Sequence, residues 1–243
     1  MKCLVIAAGQ GTRLRGLAPS KPLAELNGAP LLEHVLRRAK AGGASEFLVV
    51  TGYEAERVEA ALPGLAGRVG APVEAVRNLD WARPNGLSVL AAEPRLAGDF
   101  VLLMSDHLFD PAILAALIAG RRPDSALTLA ADRDVANPLL DLDDATKLRL
   151  DPAGRIAAIG KALADFNAID TGIFLATPAL FAAIGASVES GGSGSLSEGV
   201  ERLAQDGTAW GFDTDGRWWL DVDDEPAFRR AEAELPRQLA GGV

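Results

Sequence analysis

Leu4-Val5-Ile6-Ala7-Ala8-Gly9-Gln10-Gly11-Thr12-Arg13, with Lys21-Pro22 following, is the stretch whose reading decides the fold. An apolar run that stops at a glycine pair reads as a buried strand feeding a loop whose backbone can come close to a ligand. Gly9 and Gly11 carry no Cβ, so amides there can turn toward phosphate oxygens, and Arg13 and Lys21 set two cations beside them. A Walker A loop is excluded, because the lysine of this region, Lys21, follows Ser20 rather than a glycine. A dinucleotide fingerprint fits poorly: the third glycine, Gly16, is displaced, and strand Phe47–Val50 leads into Thr51-Gly52-Tyr53 rather than to an acid.

Outward from that loop, strand-like runs at Cys3–Ala8, Phe47–Thr51, Val73–Val76, Phe100–Met104 and Ala126–Ala131 alternate with helical patterns at Leu31–Ala41, Glu54–Leu62, Gly86–Ala92 and Pro111–Ala119. Such alternation predicts a mostly parallel, three-layer α/β sheet with ligands beyond the carboxyl ends of its strands, where the Gly9–Arg13 loop lies. After about residue 140 the segments shorten. Lys147–Leu150, a turn at Asp151-Pro152-Ala153-Gly154 and Arg155–Ile159 read as a hairpin that could wall a ligand pocket. Ser190-Gly191-Gly192-Ser193-Gly194-Ser195 has linker composition and reads as a mobile loop or lid.

The chain has 243 residues, 49% of them hydrophobic, enough for one large α/β domain over 1–243. Its longest apolar runs fall far short of a membrane span, and Met1-Lys2-Cys3 runs into a strand rather than a signal peptide, so a cytoplasmic protein is expected. Cys3, the lone cysteine, reads as a buried small hydrophobe. Residues 1–40 carry a net +5, leaving −14 on the remainder of a chain of net charge −9. So acidic a protein is a poor nucleic-acid binder, whereas a small polyphosphate needs only a local basic pocket. Arg37, Arg38 and Lys40 read as decoration on the exposed face and C-terminus of a helix.

Two carboxylate features complete the chemistry. Val101-Leu102-Leu103-Met104-Ser105-Asp106-His107 ends a hydrophobic strand in Asp106, at the same sheet edge as the glycine loop and suited to a hard Mg²⁺ ion. Helix capping does not need Asp106, because Asp110-Pro111 caps the next helix. His107 reads as structural or as a ligand contact. In Trp218-Trp219-Leu220-Asp221-Val222-Asp223-Asp224-Glu225-Pro226, period-two alternation points Asp221 and Asp223 the same way, while Asp224 and Glu225 suit the first turn of a terminal helix. The tryptophans, Trp210 included, read as packing residues.

Ala8-Gly9-x-Gly11-Thr12-Arg13 with Lys21-Pro22 resembles the opening of the nucleotidyltransferases that couple a nucleoside triphosphate to a phosphorylated sugar, polyol or choline. Met104-Ser105-Asp106-His107, Ala145-Thr146-Lys147, Ile159-Gly160-Lys161-Ala162-Leu163, Ile169-Asp170-Thr171-Gly172-Ile173-Phe174 and Leu196-Ser197-Glu198-Gly199 look like the inositol-1-phosphate cytidylyltransferases. The resemblance implies a three-layer αβα, Rossmann-like mixed sheet of the nucleotidyltransferase (GT-A-like) type, with a nucleotide-binding part at 1–135 and a small β-rich acceptor-binding part at 136–243.

It also implies CTP as donor, inositol 1-phosphate as acceptor and Mg²⁺ as cofactor. Nucleotide contacts fall to Ala7, Ala8, Gly9, Gly11, Thr12, Arg13, Lys21 and Ser105, and to Asn85, Gly86 and Ser88 at the base edge, where an N-capping role is the competing reading. Arg13, Lys21 and Asp106 are the implied catalytic residues. Asp106 and Asp223 hold the metal, with Asp221 as its supporting partner or an alternate ligand. Lys161, Asp170, Thr171, Gly172 and Glu198 line the acceptor site. Phosphocholine, an aminoalkylphosphonate held by an acidic cage at Asp170 and Glu198, or a sugar 1-phosphate are alternative acceptors, and an inactive nucleotide-binding regulatory module is the alternative of another class. Relatives of this kind are often fused to a membrane phosphotransferase; nothing hydrophobic of that length follows Asp223, so a stand-alone enzyme is expected, and a homodimer stays open.

Overall fold

Cys3, Val5 and Ala7 enter one apolar core and Leu4 and Ile6 another, so the first strand is buried on both faces, as a sheet between two helical layers requires. The computed structural model describes residues 1–137 and 140–240. Its strands are β1 (Lys2–Ala7), β2 (Glu25–Leu26), β3 (Ala29–Pro30), β4 (Glu46–Thr51), β5 (Val73–Arg77), β6 (Phe100–Met104), β7 (His107–Phe109), β8 (Leu127–Asp132), β9 (Lys147–Leu150), β10 (Ile156–Gly160), β11 (Ala168–Ala176), β12 (Ala209–Asp213) and β13 (Trp219–Asp221). The helices are α1 (Leu31–Ala41), α2 (Ala55–Val69), α3 (Gly86–Ala91), α4 (Pro111–Ala119), α5 (Ala179–Glu189), α6 (Leu196–Gln205) and α7 (Glu225–Ala240).

The main sheet runs β10-β9-β11-β6-β1-β4-β5, with β8 and β12 joined to it through β11. β1 is parallel to β4 and β6, β4 to β5 and β8 to β12, while β11 is antiparallel to β6, β8 and β9. Helices α1, α2, α4 and α7 cover one face and α3, α5 and α6 the other. Phe100 of β6 stacks on Phe181 of α5 with ring centroids 5.2 Å apart, and fully burying a side chain of this kind contributes about 1.5–3 kcal/mol. No helix among the described residues is long and apolar enough to cross a membrane.

Local signals translate directly where a cap or a clean alternation marks them. Asp110 accepts a hydrogen bond from the Ala112 amide and Pro111 opens α4, as the sequence implies. The β9–β10 hairpin forms with Asp151 closing its turn, accepting from the Ala153 and Arg155 amides. By contrast, α2 runs seven residues past the expected Leu62, carrying Pro63 in its interior. Val58, Leu62, Leu65 and Val69 form one continuous buried stripe along it, and that burial outweighs the proline's cost of about 3 kcal/mol.

Arg38 also departs from its reading as surface decoration. It is buried, donates to the Phe109 carbonyl at 2.8 Å and lies over the Trp218 ring, because α1 packs on β7. Arg37 does stay at the surface, paired with Glu33, and Lys40 donates to the Val69 and Gly70 carbonyls. The late acidic segment leaves strand geometry at Asp221 rather than continuing to Asp223. β13 pairs antiparallel with β7, which puts Asp221 opposite His107, and the Val222 amide donates to the Asp106 carbonyl. Asp224 then caps α7 by accepting from the Ala227 amide.

Candidate active site

β1 and β6 lie side by side and end at the same edge, so the loop after Ala7 and the turn after Met104 meet there. Gly11 is left-handed at φ +57°, and a Cβ on it would come within 2.5 Å of the Lys21 Cβ. Glycine therefore allows the Lys21 stem to cross the loop. The Lys21 ammonium lies 2.5 Å from Asp106 Oδ2 and donates to Asp223 Oδ1 as well. Arg13 donates to the other Asp223 oxygen and, at 2.6 Å, to Asp144 Oδ2, while Asp144 Oδ1 accepts from Lys161. The result is one chain of alternating charge from Asp106 to Lys161.

The second strand pair adds a histidine. His107 Nδ1 donates to the Thr171 carbonyl at 2.7 Å, leaving Nε2 3.5 Å from Asp221 Oδ1 and 3.7 Å from Asp106 Oδ1. The Thr171 carbonyl is available because the β11 ladder shifts register between Asp170 and Phe174, a break of the kind that re-aims groups beside functional sites.

Burial and charge compete at each group. Burial pulls the Lys21 pKa down, but Asp106, Asp223 and Asp221 outweigh it and hold the ammonium above its ordinary range. For Asp106, burial pushes upward and the charges of Lys21 and His107 win, keeping it an ionised carboxylate. Asp223 goes the other way, raised by burial and then by the like charge of Asp221. His107 is likewise penalised by burial, yet the facing carboxylates, Asp221 first, raise it to about 10. Burial raises Asp170 to about 6. Asp144 is held at about 2 by its hydrogen bonds from Lys161 and Arg13.

Two cavities flank this charge chain. A smaller one, about 330 Å³, is lined by Gly9, Gly11, Thr12, Trp81, Arg83 and Ser105 among others, and a larger one, about 590 Å³, by Asp132, Thr146, Lys161, Asp170, Gly172 and Trp219 among others. Arg13, Asn85, Met104, Asp106 and Asp223 line both. Two ligands could thus meet across the ion pairs, and each cavity is of a size that takes a small molecule.

Residues 3–196 match the MobA-like NTP transferase domain. The chain belongs to that family. The bifunctional IPC transferase and DIPP synthase of Rubrobacter xylanophilus is 37% identical over 98% of this chain and 52% of its own length. Its namesake in Thermococcus kodakarensis is 31% identical over 100% of this chain and 52% of its own length. The chain therefore spans about half the length of these relatives. The inositol-1-phosphate CTP transferase from T. maritima superposes with a TM-score of 0.85 at 24% identity, covering 100% of this chain and 97% of that one. A UDP-glucose pyrophosphorylase complexed with UDP-glucose superposes at 0.77 with 18% identity, over 98% of both chains. At those identities the superpositions establish the fold.

Within this NTP transferase domain, Gly9, Gly11, Thr12, Arg13, Lys21, Asn85, Ser88 and Ser105 line the smaller cavity, and Lys161, Asp170 and Gly172 the larger. Other residues named from the sequence lie behind the walls. Ala7 and Ala8 are buried in the two cores, and the Ala8 carbonyl accepts from the Tyr53 amide. Gly86 faces the Gly194 carbonyl, which a Cβ would strike, so its missing side chain admits a neighbouring loop rather than a base. Asn85 caps in an unexpected direction, its Oδ1 accepting from the Leu196 amide, and Ser88 accepts from Asn78. Thr171 is fully buried and donates to the Ala130 carbonyl.

Glu198 needs the largest correction. Its carboxylate accepts from the Ser187 and Ser193 hydroxyls and the Ser193 and Gly194 amides, which pins the glycine-serine loop and takes Glu198 out of the acceptor wall. The same contacts make the expected lid a fastened turn between α5 and α6. Sequence reading passed over Asp144, Trp81 and Asp132. Asp132 accepts from Trp219 Nε1 at 2.8 Å and so turns that indole into a cavity wall. Only the acid-rich run 141–144 before Lys147 hinted at Asp144.

The metal expectation can be tested against this geometry. Asp106 and Asp223 share one ammonium, so their carboxylates are close enough to share a divalent cation. Asp106, His107 and Asp221 also bring one ligand atom each within 4.8 Å of one another. Asp106 and Asp223 fit an oxygen-ligated cation, whereas the group on the other side of Asp106 adds the His107 imidazole to two carboxylates.

Proposed function

We propose that this chain transfers CMP from CTP to inositol 1-phosphate, giving CDP-inositol and pyrophosphate. The observation that carries the reading is Lys21, buried between Asp106 and Asp223 at the junction of two cavities, with Arg13 on one side and Lys161 beyond. Membership of the NTP transferase family supports the reaction type, and relatives named IPC transferase support the substrates. The smaller cavity would take CTP and the larger the acceptor.

An oxygen of the acceptor phosphate attacks the α-phosphorus in line as the bond to the bridging oxygen breaks and pyrophosphate leaves. The phosphate is already ionised near neutral pH, so no side chain need act as nucleophile or base. Both reactants are anions, and the protein's work is positioning and neutralisation. Arg13 would hold the departing pyrophosphate, Lys21 would span donor and acceptor phosphates, and Lys161 would hold the acceptor phosphate. Mg²⁺ held by Asp106 and Asp223, with Asp221 behind them, would supply Lewis-acid neutralisation of the α-phosphate when bound. The amine cage expected at Asp170 and Glu198 does not form, because Glu198 is spent on the loop. Asp132 and the indole it fixes leave the larger cavity with a flat apolar wall and hydrogen-bond acceptors, which suits a polyol ring. We place the reaction in the cytoplasm.

The test is a matrix of nucleoside triphosphates against inositol 1-phosphate, phosphocholine, aminoethylphosphonate and glucose 1-phosphate with Mg²⁺, read by pyrophosphate release. CTP with inositol 1-phosphate should turn over fastest; absence of release with every pair would leave a binding module instead.

A further inference from the structure

One carboxylate joins the two sides of the site. Asp144 gives one oxygen to Arg13 and the other to Lys161, although 131 residues separate it from the first and 17 from the second. It is held in a tight turn, its own amide and that of Ala145 donating to the Asp141 carbonyl, and the Asp170 amide donates to Thr146 just beyond. Arg13 and Lys161 remain about half exposed toward the cavity, at 48% and 60%, so both can reach a ligand. Both are already committed to the same anion.

We infer that Asp144 is a shared counterion that couples the two phosphate subsites, so that an anion bound at Arg13 releases Lys161 for the second anion. This rests on the assignment of those cations to the two substrates' phosphates. Two phosphorylated ligands a few ångströms apart repel, and two independent cation sites would therefore fill with mutual hindrance. Asp144 reverses the sign of that relationship. A phosphate that takes Arg13 removes one of Asp144's two partners and sets a like charge beside it. The carboxylate then has reason to leave, and Lys161 is exposed to the second ligand. By reciprocity the second ligand strengthens the first to the same degree. Before either arrives, Asp144 keeps stray single anions from occupying one cation at a time.

The experiment is calorimetric titration of the whole chain with pyrophosphate and inositol 1-phosphate, each alone and each with the other saturating. This pair cannot react, so binding is read without turnover. In the wild type each ligand should bind about fivefold or more tightly with the other present. Asp144→Asn should bind each single ligand about tenfold more tightly than the wild type and lose the mutual enhancement, while Asp144→Glu, which keeps the charge, should retain it. The inference is overturned if Asp144→Asn binds single ligands no more tightly, if it keeps the enhancement, if the wild type shows none, or if neither ligand binds. A chain that shows the expected pattern yet releases no pyrophosphate from CTP keeps the shared counterion and loses the function proposed above.

Discussion

Lys21 Nζ lies 2.5 Å from Asp106 Oδ2 and donates to Asp223 at the same time, so one buried cation neutralises two carboxylates brought together from the middle and the far end of the chain. Lys21→Met keeps much of the stem and removes that charge. The two acids are then left facing each other, and stability at neutral pH should fall by about 1–3 kcal/mol, less than for a fully buried pair because both carboxylates reach solvent. Added Mg²⁺ should recover more of the melting temperature in the variant than in the wild type, since a divalent cation can replace the ammonium. Equal gains in both proteins would refute the shared-cation account. Melting curves with and without the ion decide it.

Which aspartates hold the metal can be read without turnover. Mn²⁺ binding followed by electron paramagnetic resonance should weaken at least about tenfold in Asp106→Asn and in Asp223→Asn, because each removes a hard oxygen ligand. Asp221→Asn should weaken it less. The reverse order for Asp221 and Asp223 would assign the metal to the side of His107. In the same variants kcat should drop at least about a hundredfold for Asp106→Asn with an unchanged circular dichroism spectrum.

Arg38 stands one contact away from the larger cavity, through the Trp218 ring it covers. Arg38→Ala leaves the buried Phe109 carbonyl without its donor and empties the face of Trp218, which should cost about 1–3 kcal/mol in denaturant unfolding. KM for the nucleotide should stay within about twofold, because neither cavity described above is lined by Arg38 and the Trp218 beneath it borders only the larger one. A changed KM would mean that α1 and β7 transmit to the site.

These residues also mark how far the sequence could be read. The unbroken apolar run of β1 and the Asp110-Pro111 cap are local signals, and the fold follows from signals of that kind. Gly11, Lys21 and Asp106 were legible because a loop after one strand and a turn after its neighbour must share an edge. Arg38 was misread because helical periodicity alone does not say that Phe109 will lie against it. Glu198 was misread because a glycine-serine run advertises freedom, whereas its amides and hydroxyls are donors that one carboxylate can collect. Asp144 acquires meaning only once a segment without periodicity is carried across to Arg13.

Glu198 yields a prediction with a definite sign. Its hydrogen bonds, the Ser187 and Ser193 hydroxyls first, hold its pKa at about 2, below the ordinary 4.5. A carboxyl depressed in the folded state stabilises fully above its ordinary pKa, and that contribution drains away as pH falls from 4.5 toward about 2. Glu198→Gln keeps the shape but cannot accept from all four donors, so it should lose about 1–2 kcal/mol at pH 7. Urea unfolding at pH 7 and pH 3 should show the gap between wild type and variant narrowing at the lower pH. Because Glu198 points into the α5–α6 turn rather than the cavity, KM for the acceptor should be preserved in the variant. A gap independent of pH would show that the loss comes from packing rather than charge, and a raised KM would return Glu198 to the acceptor site.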